Sequence, residues 1–266
     1  MNLAVIIPAA GQSVRYAEGL EFPRSKLDED LGGRPVLHRT VELFANRDEV
    51  RTIIVAGPAD PGAAAEFRAR HADKLGMLGV RLCTGGKTHR YETVGAALAL
   101  VPADATHIAV HDAARPCVPA ELLDRVIEAA GKHAAVIPAI DASDTLKRVA
   151  EAEVVDEDVD PLDRILGGAG KANTRLRRVE TTLDRVRLVA VQTPQVFAAD
   201  LLRRAYSQED LASTDDAQLV ERLGEAVVVV EGDPRNLKIT RPIDLSLARA
   251  ILGVHGPEGR ATHKRF

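Results

Sequence analysis

The sequence predicts an α/β fold whose mostly parallel, twisted sheet is covered by helices on both faces. Three observations lead to this prediction. Short apolar runs alternate along the chain with amphipathic segments of helical length. The runs are nearly continuously apolar, as expected for strands that are buried on both faces. Small or charged residues follow several of the runs, and the ligand sites of open parallel sheets lie beyond such strand ends.

The elements follow from these patterns in chain order. The predicted strands are Leu3–Pro8, Thr52–Ala56, Val80–Thr84, His107–His111, Ala134–Ala139 and Ala226–Val230. The predicted helices are Val36–Asn46, Gly62–Leu75, Tyr91–Leu100 and Pro119–Lys132. Because Val227–Val230 is a run of consecutive valines, we expect this strand at the centre of the sheet. Ser213–Asp216 and Thr240–Asp244 have the residue pattern of helix N-termini.

The composition is that of a soluble globular protein, with 45% hydrophobic and 28% charged residues in a chain of 266. A net charge of -4 gives no electrostatic reason to expect a nucleic acid partner. The N-terminal apolar run is too short for a membrane span or an export signal. Cys83 and Cys117 fit no metal-binding spacing, so we expect unpaired, buried thiols in a cytoplasmic protein.

The length and the local composition predict one domain, residues 1–253, with a protruding arm at 141–192 and a flexible tail at 254–266. The arm has little apolar periodicity. Two interpretations of it stay open: a solvated excursion whose opposite charges partly neutralise each other, or an extension that embraces a partner subunit.

The charges of the arm are segregated along the sequence. Glu151–Asp163 contains seven acids, Gly167–Gly170 forms a predicted turn, and Lys171–Arg178 contains four bases.

The segment after the first predicted strand has the composition of a phosphate-binding loop. Gly11, Gln12 and Ser13 are small or polar residues that let a ligand approach main-chain N–H groups. Arg15 and Lys26 add positive charge on either side. The loop matches neither the Gly-x-Gly-x-x-Gly pattern nor the P-loop pattern. A triphosphate is therefore the ligand class that we expect here.

Other strand ends carry further candidates. Gly85 and Gly86 either allow a base to lie against the backbone or form an ordinary turn. Asp112 beside a triphosphate is a natural Mg²⁺ ligand, whereas a surface salt bridge to Arg115 is the alternative. Lys238 alternates with apolar neighbours, so it lies either at an exposed edge or in the same crevice.

The remaining polar segments are less specific. Asp144–Arg148, Leu183–Arg185 and Gln192–Gln195 contain hydroxyls and arginines that suit an anionic second substrate, but without other context they predict solvated loops. His111 is a lone strand-end histidine without a nucleophile beside it, which is typical of a structural histidine.

These motifs occur in a specific order. They are Pro8-Ala-Ala-Gly-x-Ser-x-Arg15, Pro-x-x-Lys26, Gly85-Gly86 with Arg90 and Thr93, Val110–Pro116, Asp144–Lys147, Asp184-Arg185, Thr193–Gln195, Thr214–Asp216 and Asn236–Pro242. Together they closely resemble the 2-C-methyl-D-erythritol 4-phosphate cytidylyltransferase family, over residues 3–252. Each motif is loose by itself, whereas the order of the set is highly specific.

The resemblance implies a Rossmann-like nucleotidyltransferase of the non-mevalonate isoprenoid pathway, usually a homodimer whose arm completes the neighbouring subunit's site. It also implies CTP as substrate and Mg²⁺ or another divalent cation as cofactor. The implied catalytic cations are Arg15, Lys26 and Lys238. The implied CTP contacts are Ala9, Ala10, Gly11, Gln12, Ser13, Gly86, Lys87, Thr93, Asp112 and Arg115, with Asp112 also serving the metal. The implied acceptor contacts are Thr145, Arg185 and Thr193.

The sequence departs from the family pattern in two places. The family usually has proline directly before the catalytic lysine, whereas Arg24 and Ser25 stand between Pro23 and Lys26 here. Arg24 is therefore a rival for the role of Lys26. The arm between Thr145 and Arg185 is also longer than the family pattern.

The implied reaction is attack by a phosphate oxygen of methylerythritol phosphate on the α-phosphorus of CTP, with expulsion of pyrophosphate. The attacking group is already an anion, so catalysis reduces to alignment and charge neutralisation. The alternatives are a cytidylyltransferase for another polyol phosphate such as ribitol 5-phosphate, a guanylyltransferase of molybdenum cofactor type, and a non-catalytic nucleotide-binding relative.

Overall fold

A computed structural model of the chain describes residues 1–18, 24–153 and 176–256. Pro23, most of the acidic run, the glycine turn Gly167–Gly170 and the predicted tail from residue 257 onward lie outside the described residues. The chain divides into two compact units. The larger contains Met1–Ile140 and the chain from Val191 onward, and the smaller contains Asp141–Ala190.

The described residues form ten strands and eight α-helices. The strands are β1 (Leu3–Pro8), β2 (Val50–Gly57), β3 (Arg81–Thr84), β4 (His107–Val110), β5 (Ala135–Asp141), β6 (Lys147–Glu153), β7 (Arg177–Thr182), β8 (Val189–Val191), β9 (Gln195–Ala198) and β10 (Val228–Glu231). The helices are α1 (Val14–Ala17), α2 (Val36–Ala45), α3 (Pro61–Met77), α4 (Arg90–Leu98), α5 (Ala120–Ala130), α6 (Ala199–Tyr206), α7 (Asp216–Arg222) and α8 (Pro242–Leu252). A short 3-10 turn spans Lys26–Asp28.

The predicted α/β fold with a mostly parallel sheet is confirmed. The strand order along the main sheet is β10-β5-β9-β4-β1-β2-β3. All neighbours in this order are parallel except β9, which runs antiparallel to β4 and to β5. The sequence analysis missed β9 because its four residues follow a polar segment without a recognisable strand pattern.

Both faces of the sheet are buried at β1, as its apolar sequence predicts. Leu3, Val5 and Ile7 of β1 lie in a cluster with residues of α2, α3, α5 and α8. Ala4 and Ile6 lie in a second cluster with residues of α4, α6 and α7. Because successive side chains of a strand point to opposite faces, one apolar strand serves both clusters. In the part of the chain that the structure describes, no helix is long and apolar enough to cross a membrane.

The chain reverses its direction of progress through the sheet at β1. From β1 it proceeds through β2 to β3, and it then returns to place β4 on the other side of β1. The connections that leave the carboxyl ends of β1 and β4 therefore run in opposite directions along the sheet. Such a place is a topological switch point, where open α/β sheets bind their ligands. Two segments that the sequence analysis singled out, Ala9–Ser13 and His111–Arg115, follow these two strand ends.

The predicted central position of the Val227–Val230 strand is wrong. The strand observed there, β10, stands at the end of the strand order and pairs with β5. Its side chains alternate between half-buried and exposed, and Val229 is 49% exposed. A run of valines indicates a strand, but strand order depends on pairing with distant segments and is not encoded in the run itself.

The smaller unit contains regular structure that the sequence analysis did not predict. β6 and β7 form an antiparallel pair, with Lys147 opposite Thr182 and Glu153 opposite Arg177. All residues of β7 are exposed, so neither face of this strand needs apolar side chains. Its sequence therefore lacks the alternation of apolar and polar residues from which a strand is recognised.

The burial difference between β9 and β10 predicts different costs for the same substitution. Val196 of β9 is completely buried, whereas Val229 of β10 is 49% exposed. We expect Val196→Ala to lower the free energy of unfolding by about 2 kcal/mol, because it removes buried methyl groups and leaves a cavity. The matched change Val229→Ala should cost less than about 0.5 kcal/mol. Urea unfolding of the two variants measures this, and equal losses would contradict the observed strand order.

Candidate active site

A cleft of about 510 Å³ opens at the switch point between β1 and β4. It brings together residues from five separate segments of the sequence. The lining residues are Pro8, Ala9, Ala10, Gly11, Gln12, Lys26, Leu27, Gly86, Lys87, Thr88, His89, Arg90, Thr93, Asp112, Ala113, Ala114 and Lys238. Ten of the residues that the sequence analysis proposed for catalysis or CTP binding are among them.

The loop after β1 forms one wall of the cleft. The main-chain N–H of Ala9 donates to the carbonyl of Ala56 on the neighbouring strand at 2.7 Å, which fixes where the loop begins. Gly11 and Gln12 are exposed, and a Cβ added to Gly11 would meet no atom of the described chain. Ser13 has a left-handed backbone with φ of 56° and starts α1. The loop therefore ends in a sharp turn that leaves its small residues open to a ligand.

The segment after β3 forms another wall through Gly86 and the residues that follow it, and the packing of Gly85 and Gly86 requires glycine. A Cβ on Gly86 would lie 2.1 Å from the Cβ of Glu92, and one on Gly85 would lie 2.8 Å from the carbonyl oxygen of Gly57. The N–H of Gly86 donates to the buried hydroxyl of Thr93 at 3.1 Å. Glu92 accepts from the N–H groups of Thr88 and His89 and so caps α4.

Asp112 lies at the centre of a cluster of cations. Its Oδ2 is 3.1 Å from Arg115 Nε and 3.0 Å from Lys238 Nζ, and its Oδ1 is 3.7 Å from Arg90 Nε. Burial raises the pKa of the Asp112 carboxyl, but the nearby cations Lys238, Arg90 and Arg115 lower it by a larger amount. The pKa therefore stays well below its usual range. The carboxylate is therefore ionised, and Lys238 points into the cleft rather than along an exposed edge.

Arg90 connects this cluster to a second buried carboxylate. Its Nη1 lies 2.7 Å from Oδ2 of Asp216, a residue that is 1% exposed at the start of α7. Tyr206 donates its hydroxyl to the other oxygen of Asp216. The sequence analysis gave Arg90 and Asp216 no separate role, because nothing local relates residues that are so far apart in the chain.

The loop of Asp112 is held by a continuous hydrogen-bond chain. The N–H of Asp112 donates to the Thr193 hydroxyl at 3.0 Å, and that hydroxyl lies 3.1 Å from Nδ1 of His111. Nε2 of His111 lies 3.1 Å from the carbonyl of Arg115. Since a carbonyl only accepts, Nε2 carries the proton and Nδ1 accepts from Thr193. Burial lowers the pKa of His111 to about 4, which keeps this neutral tautomer at neutral pH.

The segment Gln192–Gln195 is therefore buried, and the expectation of solvated loop residues is wrong for it. Gln192, Thr193 and Gln195 are each at most 5% exposed. Gln192 and Gln195 hydrogen-bond to Asp233 and to Asp215, respectively, which lie far along the chain. Polar side chains look solvated in a sequence when their buried partners are distant.

Lys26 starts the 3-10 turn and points into the cleft, where its Nζ donates to the carbonyl of Ile239 at 2.7 Å. Burial, together with Lys238 and Arg15, lowers the pKa of Lys26 to about 8. Ser25 caps the turn by accepting from the N–H of Leu27 at 3.2 Å. The rival cation, Arg24, is 63% exposed and pairs with Glu29. We call the cleft that Asp112 and Lys238 line the charged cleft. Of the two cations in this segment, Lys26 lines it and Arg24 does not.

The other predicted site residues have different surroundings. Arg15 is exposed on α1 and lies close enough to influence the pKa of Lys26. Lys87 is an exposed residue of the cleft. Thr145 and Arg185 belong to the smaller unit, where both are exposed and Arg185 donates to the carbonyl of Ser143. Their acceptor-binding role stays a prediction.

A second cavity of about 710 Å³ adjoins the same loop on the side of α3. Its charged lining residues include Arg24, Asp60, Glu66 and Arg70, of both signs. Asp112, Lys26 and Lys238 line the smaller cleft and do not line the larger cavity. The smaller cleft is therefore the candidate active site.

The side chains of the cleft suit a metal ion that is held mainly by a bound substrate and only in part by the protein. Among the described residues, no group of three His, Cys, Asp or Glu side chains could hold an ion by itself. Asp112 offers one ionised carboxylate, and its Oδ1 has only the longer contact to Arg90. Mg²⁺ commonly binds through one or two carboxylates together with substrate phosphates, so these residues fit an ion that arrives with a triphosphate.

The two cysteines are both unpaired, as predicted, but only Cys117 is buried. Cys83, on β3 near the edge of the sheet, is half-buried.

Comparison with known proteins gives one consistent result. The family model for 2-C-methyl-D-erythritol 4-phosphate cytidylyltransferase matches residues 3–164 and 169–254. A relative with that name from Rhodococcus jostii is 38% identical over 257 residues, covering 95% of this chain and 97% of the relative. Another from Frankia casuarinae is 40% identical over 252 residues, covering 94% and 81%. The crystal structure of the same-named protein from Thermus thermophilus matches with a TM-score of 0.67 and 31% identity, covering 96% of this chain and 100% of that one.

The hydrogen-bond chain through Thr193 predicts the effect of removing its hydroxyl. Thr193→Val keeps the shape but leaves the Asp112 N–H and the His111 Nδ1 without partners. We expect a loss of about 2–6 kcal/mol in the free energy of unfolding, since each of the two buried unpaired groups costs about 1–3 kcal/mol. Thr193→Ser keeps the hydroxyl and should lose only about 1 kcal/mol. Urea unfolding compares the two, and equal losses would show that the hydroxyl does not hold this loop.

Proposed function

This chain belongs to the 2-C-methyl-D-erythritol 4-phosphate cytidylyltransferase family, and on that premise we propose which of its residues carry out the reaction. The enzyme transfers CMP from CTP to 2-C-methyl-D-erythritol 4-phosphate and releases pyrophosphate, a step of isoprenoid biosynthesis. The alternatives of a different polyol phosphate, a guanylyltransferase or a non-catalytic relative are not favoured by this membership.

The observation that carries the assignment of residues is the group of cations that converges on the switch-point cleft. Lys26 and Lys238 both line it, and Arg15 lies near Lys26. In the proposed mechanism the triphosphate of CTP lies along Ala9–Ser13. The main-chain N–H groups that follow Ala9 donate to phosphate oxygens, and the small side chains of the loop leave room for them. The base lies against the glycine pair beside Lys87 and Thr93.

The chemical step needs no general base, because the attacking group is a phosphate oxygen that is already anionic. That oxygen attacks the α-phosphorus, and the bond from the α-phosphorus to the bridging oxygen of pyrophosphate breaks. Lys26, Lys238 and Arg15 stabilise the negative charge that grows on the α-phosphate and on the leaving group. Asp112 keeps Lys238 in place through their 3.0 Å contact, and Arg115 supports Asp112 from the other side.

We further propose that Asp112 helps to hold a divalent cation, Mg²⁺ or another, that is bound mainly by the triphosphate. Such an ion supplies neutralisation of phosphate charge. The support from this chain is the ionised state of Asp112 and the weaker engagement of its Oδ1.

We propose that the enzyme is a homodimer in which the arm, residues 141–192, contributes Thr145 and Arg185 to acceptor binding. Thr193, which belongs to the larger unit, is the third proposed acceptor contact. The smaller unit exposes several large apolar side chains, a feature of surfaces that bind partners. They are Leu176, Val179, Val186, Leu188 and Val189. The unpaired Cys83 and Cys117 support the expectation of a reducing compartment such as the cytoplasm.

The assignment of Lys26 predicts a large kinetic effect of its removal. With CTP and methylerythritol phosphate as substrates, Lys26→Ala should lower kcat by about 10²–10³, because a charge-stabilising donor is lost in the transition state. Arg24→Ala is the matched control, since Arg24 pairs with Glu29 outside the charged cleft, and it should stay within about twofold of the unmodified enzyme. Pyrophosphate release measures both. A normal kcat for Lys26→Ala, with KM alone changed, would contradict the assignment.

The lowered pKa of Lys26 predicts an alkaline limit to activity. The amine is cationic below its pKa of about 8 and neutral above it, so kcat/KM for CTP should fall as the pH rises through about 8. Lys26→Arg keeps a permanent charge and should lose this alkaline limb even if its maximum rate is lower. The pH profiles of both enzymes provide the test. An unchanged limb in Lys26→Arg would assign the titration to another group.

A further inference from the structure

We propose that His71 and His38, two buried histidines outside the cleft, are positioning residues for Lys26 that act through Asp28. The inference rests on the proposed catalytic role of Lys26. Nothing in the reaction itself uses these three side chains, and neither histidine lines the charged cleft. They form a polar chain through the interior that connects the turn of Lys26 to two helices.

The chain begins at the end of the turn. Asp28 is the last residue of the 3-10 turn that Lys26 begins, and its Oδ1 lies 2.8 Å from Nε2 of His71 on α3. Its other oxygen pairs with Arg70, also on α3. Nδ1 of His71 lies 3.0 Å from Nε2 of His38 on α2. The turn is thus attached to α3 directly and to α2 through one further side chain.

The attachment sets the rotation of the turn about its own axis. In a 3-10 turn successive side chains are about 120° apart, so residues two apart point to different sides. When Asp28 is held against α3, Lys26 faces away from α3, toward the cleft where its Nζ meets the carbonyl of Ile239. The turn has only three residues, and its link to the Ser13 hydroxyl is long at 3.4 Å. Leu27 packs in the hydrophobic core, and the Asp28 contacts add the directional polar support of the turn on the side of α3.

The hydrogen bonds have defined donors. Burial raises the pKa of Asp28, but the contacts with His71 and Arg70 lower it by a larger amount, so the pKa lies below its ordinary value. The carboxylate is therefore ionised and accepts from Nε2–H of His71. Burial lowers the pKa of His38 to about 4, with His71 and Lys74 adding to the effect and Glu42 and Asp28 opposing it. His38 is therefore neutral at neutral pH.

A neutral imidazole has one ring nitrogen that donates and one that accepts, so Nε2 of His38 can complete the contact with Nδ1 of His71. The connection is consequently a fixed support for Asp28. It also explains the presence of two histidines at sites only 5% and 1% exposed, where apolar side chains would fill the space without fixing the direction of Asp28.

A double-mutant cycle distinguishes positioning of Lys26 from a general effect on folding. His71→Leu should lower kcat by about 10- to 100-fold per folded enzyme, with KM for CTP changed less than about twofold, because a small displacement of an aligned group is costly. In the Lys26→Ala background the same change should have no further effect on kcat, since the group it positions is already absent. His71→Gln, which keeps a donor for Asp28, should recover most of the activity.

His107→Leu is the matched control. His107 is a half-buried histidine at the start of β4 that donates to the carbonyl of Ala130 at 3.1 Å. Its replacement should lower stability and have the same small effect on kcat in both backgrounds. If His71→Leu fails to fold, Asp28→Asn replaces it in the same cycle, because it removes the charged acceptor with little change in size.

Equal factors for His71→Leu, or for Asp28→Asn, in the two backgrounds would overturn the inference. So would a His71→Leu enzyme with normal kcat. A normal kcat for Lys26→Ala alone would instead overturn the catalytic assignment of Lys26, and it would do so before any histidine variant is measured, so the two failures are distinguishable.

Discussion

The candidate active-site cleft depends on the burial of one carboxylate, Asp112. A carboxyl group in a water-poor site is normally driven toward its neutral form, but three cations from separate segments of the chain keep this one charged. Arg90 comes from α4, Arg115 from the same loop and Lys238 from the segment before α8. Each cation is attracted to the same point, so the pairings that keep Asp112 ionised also bring the walls of the cleft together.

The cations of the cleft divide into two groups by their partners. Arg90, Arg115 and Lys238 each pair with a carboxylate, so part of their charge is used to hold the structure. Arg115 also donates to the carbonyl of Asn236 at 2.7 Å. Lys26 contacts the neutral carbonyl of Ile239, and that contact leaves its charge uncompensated. The cations that pair with carboxylates therefore form a rigid part of the site, whereas the charge of Lys26 stays available to a polyanion.

Local patterns explain what could be predicted from the sequence. The strand Leu3–Pro8 has the predicted bounds because a strand buried on both faces is apolar at every position, and α7 and α8 begin where their cap residues indicate. The edge position of β10, the burial of Gln192–Gln195 and the Arg90–Asp216 pair could not be predicted, since each depends on a partner that is distant in the chain. For Arg24 and Lys26, the sequence contains the two candidates, and only the geometry of the turn separates them.

The lowered pKa of Lys26 also has a thermodynamic consequence. In the free protein at pH 8, about half of the molecules carry a neutral amine at this position. A polyanion bound beside it favours the charged form and raises the pKa again. Binding therefore takes up part of a proton from solution, and the measured heat of binding contains the ionisation heat of whichever buffer supplies that proton. By the same linkage, affinity for the anion decreases as the solution becomes more alkaline, although no group of the anion itself is titrating.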